Sequence, residues 1–171
     1  IRAISHVRPL TRVTVWGRDP DKAAAFARDM SRKTGLSVEA SPDARSAVAA
    51  ADIVCTVTNA REPILLGKWL RPGTHVNLVG SSVAGPVEVD CDLVVASRFI
   101  ADSREGVLAQ GAEFLRAKAA GLIGDSHVVG EIGQVLAGDL AGREGPDQFT
   151  VYKSLGHVVQ DLAAAQALYQ G

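Results

Sequence analysis

The chain has 171 residues, of which 47% are hydrophobic and 22% charged, and its formal net charge is −1. That length suits one α/β domain, which buries roughly 70% of the surface its unfolded chain exposes. The near-neutral balance and the lack of a Lys/Arg run disfavour nucleic acid and membrane surfaces as partners. No signal peptide is legible, and no apolar run approaches the ~20 residues of a membrane span.

Residues 1–7 read as the end of an amphipathic helix, closed near Pro9. Residues 12–16 alternate polar and apolar as a strand does. Gly17 and Arg18 then turn the chain, Asp19 is a good N-cap, and Pro20 suits the first helical position. Ala23, Ala24, Phe26, Ala27 and Met30 continue a helical face to about Lys33, and Gly35 is placed as a C-cap. Residues 36–40 form a short predicted strand, and Ser41-Pro42-Asp43 opens a helix to about Ala50. Residues 52–58 are almost continuously β-branched or apolar, which predicts a central parallel strand buried on both faces. Cys55 lies in that run and is expected as a small core residue.

A turn at Pro72-Gly73 leads to the next predicted strand, 74–79, which runs into Gly80-Ser81-Ser82. A helix at 91–96 precedes a strand at 98–102, and Ser103 can cap the helix that follows. Residues 128–136 form a short apolar unit, 138–147 a polar Gly-rich loop, 149–154 an extended segment, and 156–169 a last amphipathic helix. Strands alternating with helices at short spacing predict βαβ units: a Rossmann-like, doubly wound, mainly parallel α/β sheet with helices on both faces. Because residue 1 is Ile and already helical in pattern, residues 1–171 read as one domain of a longer protein, with the first strand and its Gly-rich turn upstream.

Ligands of an open parallel sheet bind beyond the carboxyl ends of its strands. That rule selects Gly17-Arg18-Asp19, Thr56-Val57-Thr58-Asn59, the run from Asn77 to Ser82, and Asp102-Ser103-Arg104. No G-x-G-x-x-G fingerprint follows a strand; Gly142-Arg143-Glu144-Gly145 reads as a surface loop. An acid after the second strand of such a sheet favours the ribose hydroxyl of NAD, and an Arg favours the 2′-phosphate of NADP. Arg18 comes first here and Asp19 has a competing role as cap, so NADP(H) is favoured while NAD(H) stays open.

Other polar residues carry less. His6, His75, His127 and His157 have no metal spacing, and the two cysteines, Cys55 and Cys91, form no CxxC. No metal is expected, and a reducing cytoplasm is the expected compartment. His75 is expected as a satisfied core or edge residue, and Glu105 and Glu113 as solvated helix residues. Ser81-Ser82 lacks the G-x-S-x-G of a nucleophile elbow. Lys153 sits at a strand-to-helix junction that could face an anionic or polar ligand group.

The runs Val15-Trp16-Gly17-Arg18, Thr56-Val57-Thr58 with Glu62-Pro63-Ile64-Leu65, Pro72 to Gly80, Asp102-Ser103-Arg104-Glu105, Gly130 to Gly138, and Thr150 to Gly156 together resemble the ornithine cyclodeaminase/mu-crystallin family. The resemblance spans essentially the whole chain in order. It implies a dimeric, two-domain oxidoreductase acting on amino acids or their imines. A Rossmann domain would bind NAD(H) or NADP(H), and a separate N-terminal domain would carry most substrate contacts and the homodimer interface. By position, Gly17, Arg18 and Asp19 would meet the adenosine ribose. Thr56, Val57 and Thr58 would line the adenine and ribose side. Asn77, Val79 and Gly80 would approach the nicotinamide, as would Ser154 from the last junction.

One departure bears on the chemistry. Family members that deaminate ornithine carry an aspartate two residues after the glycine matching Gly80, as the acid/base group; here that position is Ser82. Mu-crystallin, a ketimine reductase, resembles this chain in having serine there. A serine is too weak a base to deprotonate an ammonium at neutral pH without help, whereas reduction of a preformed imine asks only for a placed hydride, a nearby proton donor and a carboxylate clamp. Ser82 is therefore the candidate catalytic position. Reduction of a cyclic ketimine of the pyrroline-2-carboxylate type is expected ahead of ornithine cyclodeamination or a non-catalytic, NADPH-binding crystallin role. A short-chain dehydrogenase is disfavoured, because Tyr152 and Lys153 are adjacent rather than in Tyr-x-x-x-Lys spacing.

Overall fold

The computed structural model describes residues 1–170. It divides into two compact units, Ile1–Ala51 and Asp52–Gly171, which are taken in turn.

The first unit runs α1 (Arg2–Val7), β1 (Val13–Val15), α2 (Pro20–Thr34), β2 (Val38–Ala40) and α3 (Ala44–Val48). Its local signals act as the residues predict. The Asp19 carboxylate accepts from Asp21 N and Lys22 N, both at 3.1 Å, with Pro20 in the first turn. Such a cap contributes ~1 kcal/mol. Gly35 ends α2 in the left-handed region, at φ 70°, which a side chain would resist. Ala23 and Ala27, one turn apart, form the buried face of α2. Ser31 then ties α2 to β2, donating to Val38 O and accepting from Val38 N. β1 and β2 pair in parallel, Val13 opposite Val38 and Val15 opposite Ala40. The Asp43 carboxylate caps α3 through Ser46 N at 2.8 Å.

The second unit contains β3 (Ile53–Thr56), β4 (His75–Leu78), α4 (Cys91–Ala96), β5 (Ser97–Ala101), α5 (Arg104–Gln110), α6 (Ala112–Ala119), β6 (Val128–Glu131), α7 (Ile132–Ala137), β7 (Phe149–Lys153) and α8 (Val158–Gln170). Its sheet has the order β3-β4-β7-β5-β6, and every pairing is parallel. Side chains alternate across a strand. One sheet face therefore collects Val76, Leu78, Phe99, Ala101, Val151 and Lys153, all at 1% exposure or less. α4 and α6 pack together, and Phe114 of α6 meets Phe99 of β5 with ring centroids 6.2 Å apart in a tilted pair. Such pairs contribute ~0.5–1.5 kcal/mol beyond the area they bury.

Two expectations are corrected. Among the described residues β3 pairs with β4 alone, and Cys55 is exposed rather than in the core. Cys55 shares a face with Asn77 and Tyr152, which are half-buried. A β-branched run marks a strand but does not say whether one face or both are covered. α8 forms where a helix is expected, yet it is not amphipathic in use. Val158, Val159, Leu162, Leu168 and Tyr169 are all more than half exposed. Among the described residues, no helix is long and apolar enough to cross a membrane.

Candidate functional site

Pairing register aligns the carboxyl ends of all five strands. Thr56, Leu78, Lys153, Ala101 and Glu131 form one row across the sheet. The loops that leave this row are the ligand-facing edge of a parallel sheet. Four of them carry the selected residues of this unit: Val57 to Asn59 after β3, Val79 to Ser82 after β4, Asp102 to Arg104 after β5, and Ser154 after β7.

Two carboxylates, the buried Glu88 and the half-buried Asp102, hold these loops. The Glu88 side chain is fully buried. Its Oε1 accepts from Thr58 N at 2.5 Å and Thr58 Oγ1 at 2.7 Å, while Oε2 accepts from Gly80 N at 2.8 Å. One carboxylate thus joins the loops after β3 and β4. Thr56 O reinforces the join by accepting from Val79 N and Gly80 N. Asp102, at the end of β5, does the same for the loop after β7. Its Oδ2 accepts from Leu155 N at 2.6 Å and Gly156 N at 2.9 Å, with Ser154 Oγ at 3.4 Å, and Oδ1 accepts from Ser103 N. Gly80 is packed so closely that an added Cβ would overlap Thr58 O, Thr58 N and Glu88 Oε1.

Beneath the turn after β4 lies an ion pair. Lys153 Nζ is 3.1 Å from Glu113 Oε2, and both side chains have zero exposure. Lys153 Nζ also donates to Ser81 O, and to Ser81 Oγ at 2.8 Å. Ser81 Oγ donates in turn to Glu113 Oε1, which also accepts from Glu88 N at 3.0 Å. Two expectations change here. Lys153 does not face a ligand from its junction, because strand alternation aims it into the core. Glu113 is not solvated, because α6 turns it toward Lys153.

The remaining candidates fall as follows. Ser82 is exposed and Val79 partly so, while Ser81 between them is buried. Thr56 turns its side chain inward, where its hydroxyl has no hydrogen-bond partner among the described residues. Val57 is 69% exposed, and Thr58 spends its hydroxyl on Glu88. Asn77 is half-buried, with its amide 3.7 Å from Cys55 Sγ. Ser154 is 9% exposed. In the first unit Gly17 is half-buried, Arg18 is exposed, and Asp19 divides its carboxylate between the α2 cap and Lys22 Nζ at 3.5 Å. Among the described residues no His/Cys/Asp/Glu group is placed to hold a metal ion.

Sequence reasoning passed over Glu88 entirely. Its only signal is a lone acid inside Val87-Glu88-Val89, where solvation would be expected and all three residues are buried.

His75 behaves as a satisfied strand residue, with Nδ1 at 2.8 Å from Thr150 Oγ1. Burial, with a smaller contribution from the Arg143 charge, pushes its pKa below the usual 6.5, and hydrogen bonds to Asn77 and Thr150 oppose the shift. The unfolded chain then takes up a proton near pH 6.5 while the folded chain waits for lower pH. Stability from this residue is fully present above pH 6.5 and is lost as pH falls toward the folded pKa. Urea midpoints are expected to fall between pH 7.5 and 5 by less in His75→Gln than in the parent protein. Equal falls in both would remove His75 from the acid sensitivity.

A parallel sheet with pinned, small-residue loops at its carboxyl edge defines the Rossmann-like α/β class. The chain belongs to the ornithine cyclodeaminase/mu-crystallin family, whose profile matches residues 1–171. It is 33% identical to a Delta(1)-pyrroline-2-carboxylate reductase of Bacillus cereus, over 98% of this chain and 52% of that protein. It is likewise 33% identical to the mouse ketimine reductase mu-crystallin, over 99% of this chain and 52% of that protein. The structure of Thermococcus litoralis Delta(1)-pyrroline-2-carboxylate reductase in complex with NADH and L-proline matches with a TM-score of 0.95 at 34% identity, covering 99% of this chain and 52% of that one. The chain therefore spans about half the length of the relatives it matches.

Proposed function

We propose that the intact protein is an NAD(P)-dependent reductase of cyclic ketimines of the pyrroline-2-carboxylate type, and that residues 1–171 are its dinucleotide-binding domain. The observation that carries this reading is the turn after β4. It presents Ser82 to solvent where the family's ornithine deaminases have an aspartate, and no residue from Val79 to Pro86 is an acid or a base. A hydroxyl can relay or donate a proton to an imine nitrogen but does not deprotonate an ammonium at neutral pH. The reductase names and bound NADH and L-proline of the relatives support the same chemistry.

The residues fit a nicotinamide dinucleotide. Gly80 packs its backbone directly against Thr58 and Glu88, so the loops after β3 and β4 lie side by side at the carboxyl edge of the sheet with no side chain between them. When bound, the cofactor supplies the hydride. Gly80, Val79, Asn77 and Ser154 would hold its nicotinamide side, and Thr56, Val57 and Thr58 its adenine and ribose side. Ser82 would place a proton for the imine nitrogen. Gly17, Arg18 and Asp19 would take the adenosine ribose. Arg18 is exposed and in no ion pair among the described residues, while Asp19 is occupied by its cap, which supports NADP(H) over NAD(H). A homodimer assembled through an N-terminal domain is part of the proposal, as is a cytoplasmic setting, which the two free thiols suit.

The test follows NAD(P)H absorbance with the intact protein against pyrroline-2-carboxylate, ornithine, alanine, and a keto acid with an amine. Turnover of the imine with NADPH ahead of NADH is expected. Ammonia release from ornithine without imine reduction would establish the deaminase instead, and cofactor binding without turnover would point to a crystallin-like role. In the same assay Arg18→Ala is expected to cut the NADPH-to-NADH preference about tenfold or more, the value of one charge-assisted contact. An unchanged ratio would remove Arg18 from cofactor choice.

A further inference from the structure

We propose that Lys153, Glu113 and Ser81 form a buried positioning clamp that fixes the backbone of the Gly80-Ser81-Ser82 turn and thereby aims Ser82. The inference rests on the reading above that this turn adjoins the nicotinamide.

The geometry has three parts. First, the clamp grips one residue twice: Lys153 Nζ reaches both the carbonyl and the hydroxyl of Ser81, and Glu113 Oε1 accepts from the same hydroxyl. Ser81 is 1% exposed while Ser82, its neighbour, is exposed. The gripped residue therefore cannot meet substrate, and the residue that can meet it inherits its direction. Second, the two charged members come from rigid elements on either side, the last residue of β7 and the first turn of α6. The row register places Lys153 directly beside Leu78, the last residue of β4, so its side chain starts beneath the turn it holds. Third, Glu113 Oε1 also accepts from Glu88 N, and the Glu88 side chain holds Gly80 N and Thr58 N. The turn is thus fixed at residue 80 by one carboxylate and at residue 81 by the ion pair, and the two anchors are bonded to each other. A surface turn stabilised only by its own backbone would need none of this, and burying a cation and an anion costs desolvation that hydrophobic residues avoid. Retained buried charges of this kind suit a role in specifying geometry.

Lys153, Glu113 and Ser81 touch neither substrate nor cofactor in this scheme; they act through Ser82 and the turn. Two variants test it in the intact protein. Ser81→Ala removes the hydroxyl contacts and leaves the ion pair whole. Lys153→Met/Glu113→Gln removes both charges while keeping an acceptor for Glu88 N.

Hydrogen exchange without cofactor is expected to speed up at least tenfold at the amides of Gly80 and Ser81 in both variants, with β3, β4 and β7 unchanged. Imine reduction at saturating NADPH is expected to lose at least tenfold in kcat, with the KM for NADPH within about twofold of the parent. Unchanged exchange at Gly80 and Ser81 in either folded variant would overturn the clamp, and faster exchange with unchanged kcat would overturn its role in aiming Ser82. If the parent reduces no imine, the proposed reaction fails on its own. Exchange and NADPH affinity, followed by nicotinamide fluorescence, then decide the clamp: faster exchange supports it and unchanged exchange refutes it. Should the double variant not fold, Ser81→Ala gives the same readings.

Discussion

Gly80→Ala is expected to destabilise the protein by about 3 kcal/mol, at the upper end of what overpacking a filled site costs. The methyl group would have to share space with Thr58 N, Thr58 O and a Glu88 carboxylate oxygen. Two of those three are backbone atoms, and the third, Glu88 Oε1, is held by Thr58 N and Thr58 Oγ1, while Gly80 N holds the other oxygen of the same carboxylate. None is the loose end of a flexible side chain, so relief requires the loops after β3 and β4 to separate. That separation breaks the Glu88 bridge, and NADPH affinity of the intact protein is expected to fall at least tenfold with it. Urea unfolding measures the first effect and fluorescence titration the second. A variant within 0.5 kcal/mol of the parent, the range of an ordinary surface change, and with unaltered affinity would show that the close approach is not required.

Lys153→Met is expected to cost about 3–5 kcal/mol, because it leaves the Glu113 carboxylate buried without its cation. Adding Glu113→Gln should recover at least half of the loss, since the double variant buries no unpaired charge. The order of effects separates the two roles of the pair. The pair itself is worth little to stability, as replacement of buried pairs by neutral residues generally shows, while one partner without the other is costly. Urea midpoints at constant slope give both numbers. A double variant no more stable than Lys153→Met would mean that the loss comes from packing around the lysine stem rather than from the stranded charge.

These two residues mark different degrees of legibility. Gly80 was readable as a strand-end glycine, because position after a predicted parallel strand is a local property. What crowds it was not readable, since Glu88 approaches from a segment of valines that carries no sign of its burial. The junction position of Lys153 suggests a ligand-facing side chain, and a helical glutamate such as Glu113 suggests solvent, whereas the fold turns both inward. Neither direction can be read from either residue alone. Each is costly to bury without the other, and 40 positions of chain separate them.

Much of the element plan was local and so stood in the residues. Asp19 and Pro20 start α2 and Gly35 stops it, Asp43 and Ser103 cap where short polar residues precede helical patterns, and a β-branched run marks β3. Family membership was legible for a related reason: many weak runs in the right order jointly carry information that no single run does. The amino-acid order thus decided which segments are helix and strand, which strand ends could meet a ligand, and, through Ser82, which chemistry to expect. The tertiary structure decided what depends on partners distant in sequence. It placed β7 between β4 and β5, which brings Lys153 beneath Ser81. It turned two carboxylates, Glu88 and Glu113, inward as anchors. Caps and periodicity act within a few residues and can be read directly. A buried charge is tolerable only once a fold has supplied its counterpart, so its place is set by packing and not by its neighbours in the chain.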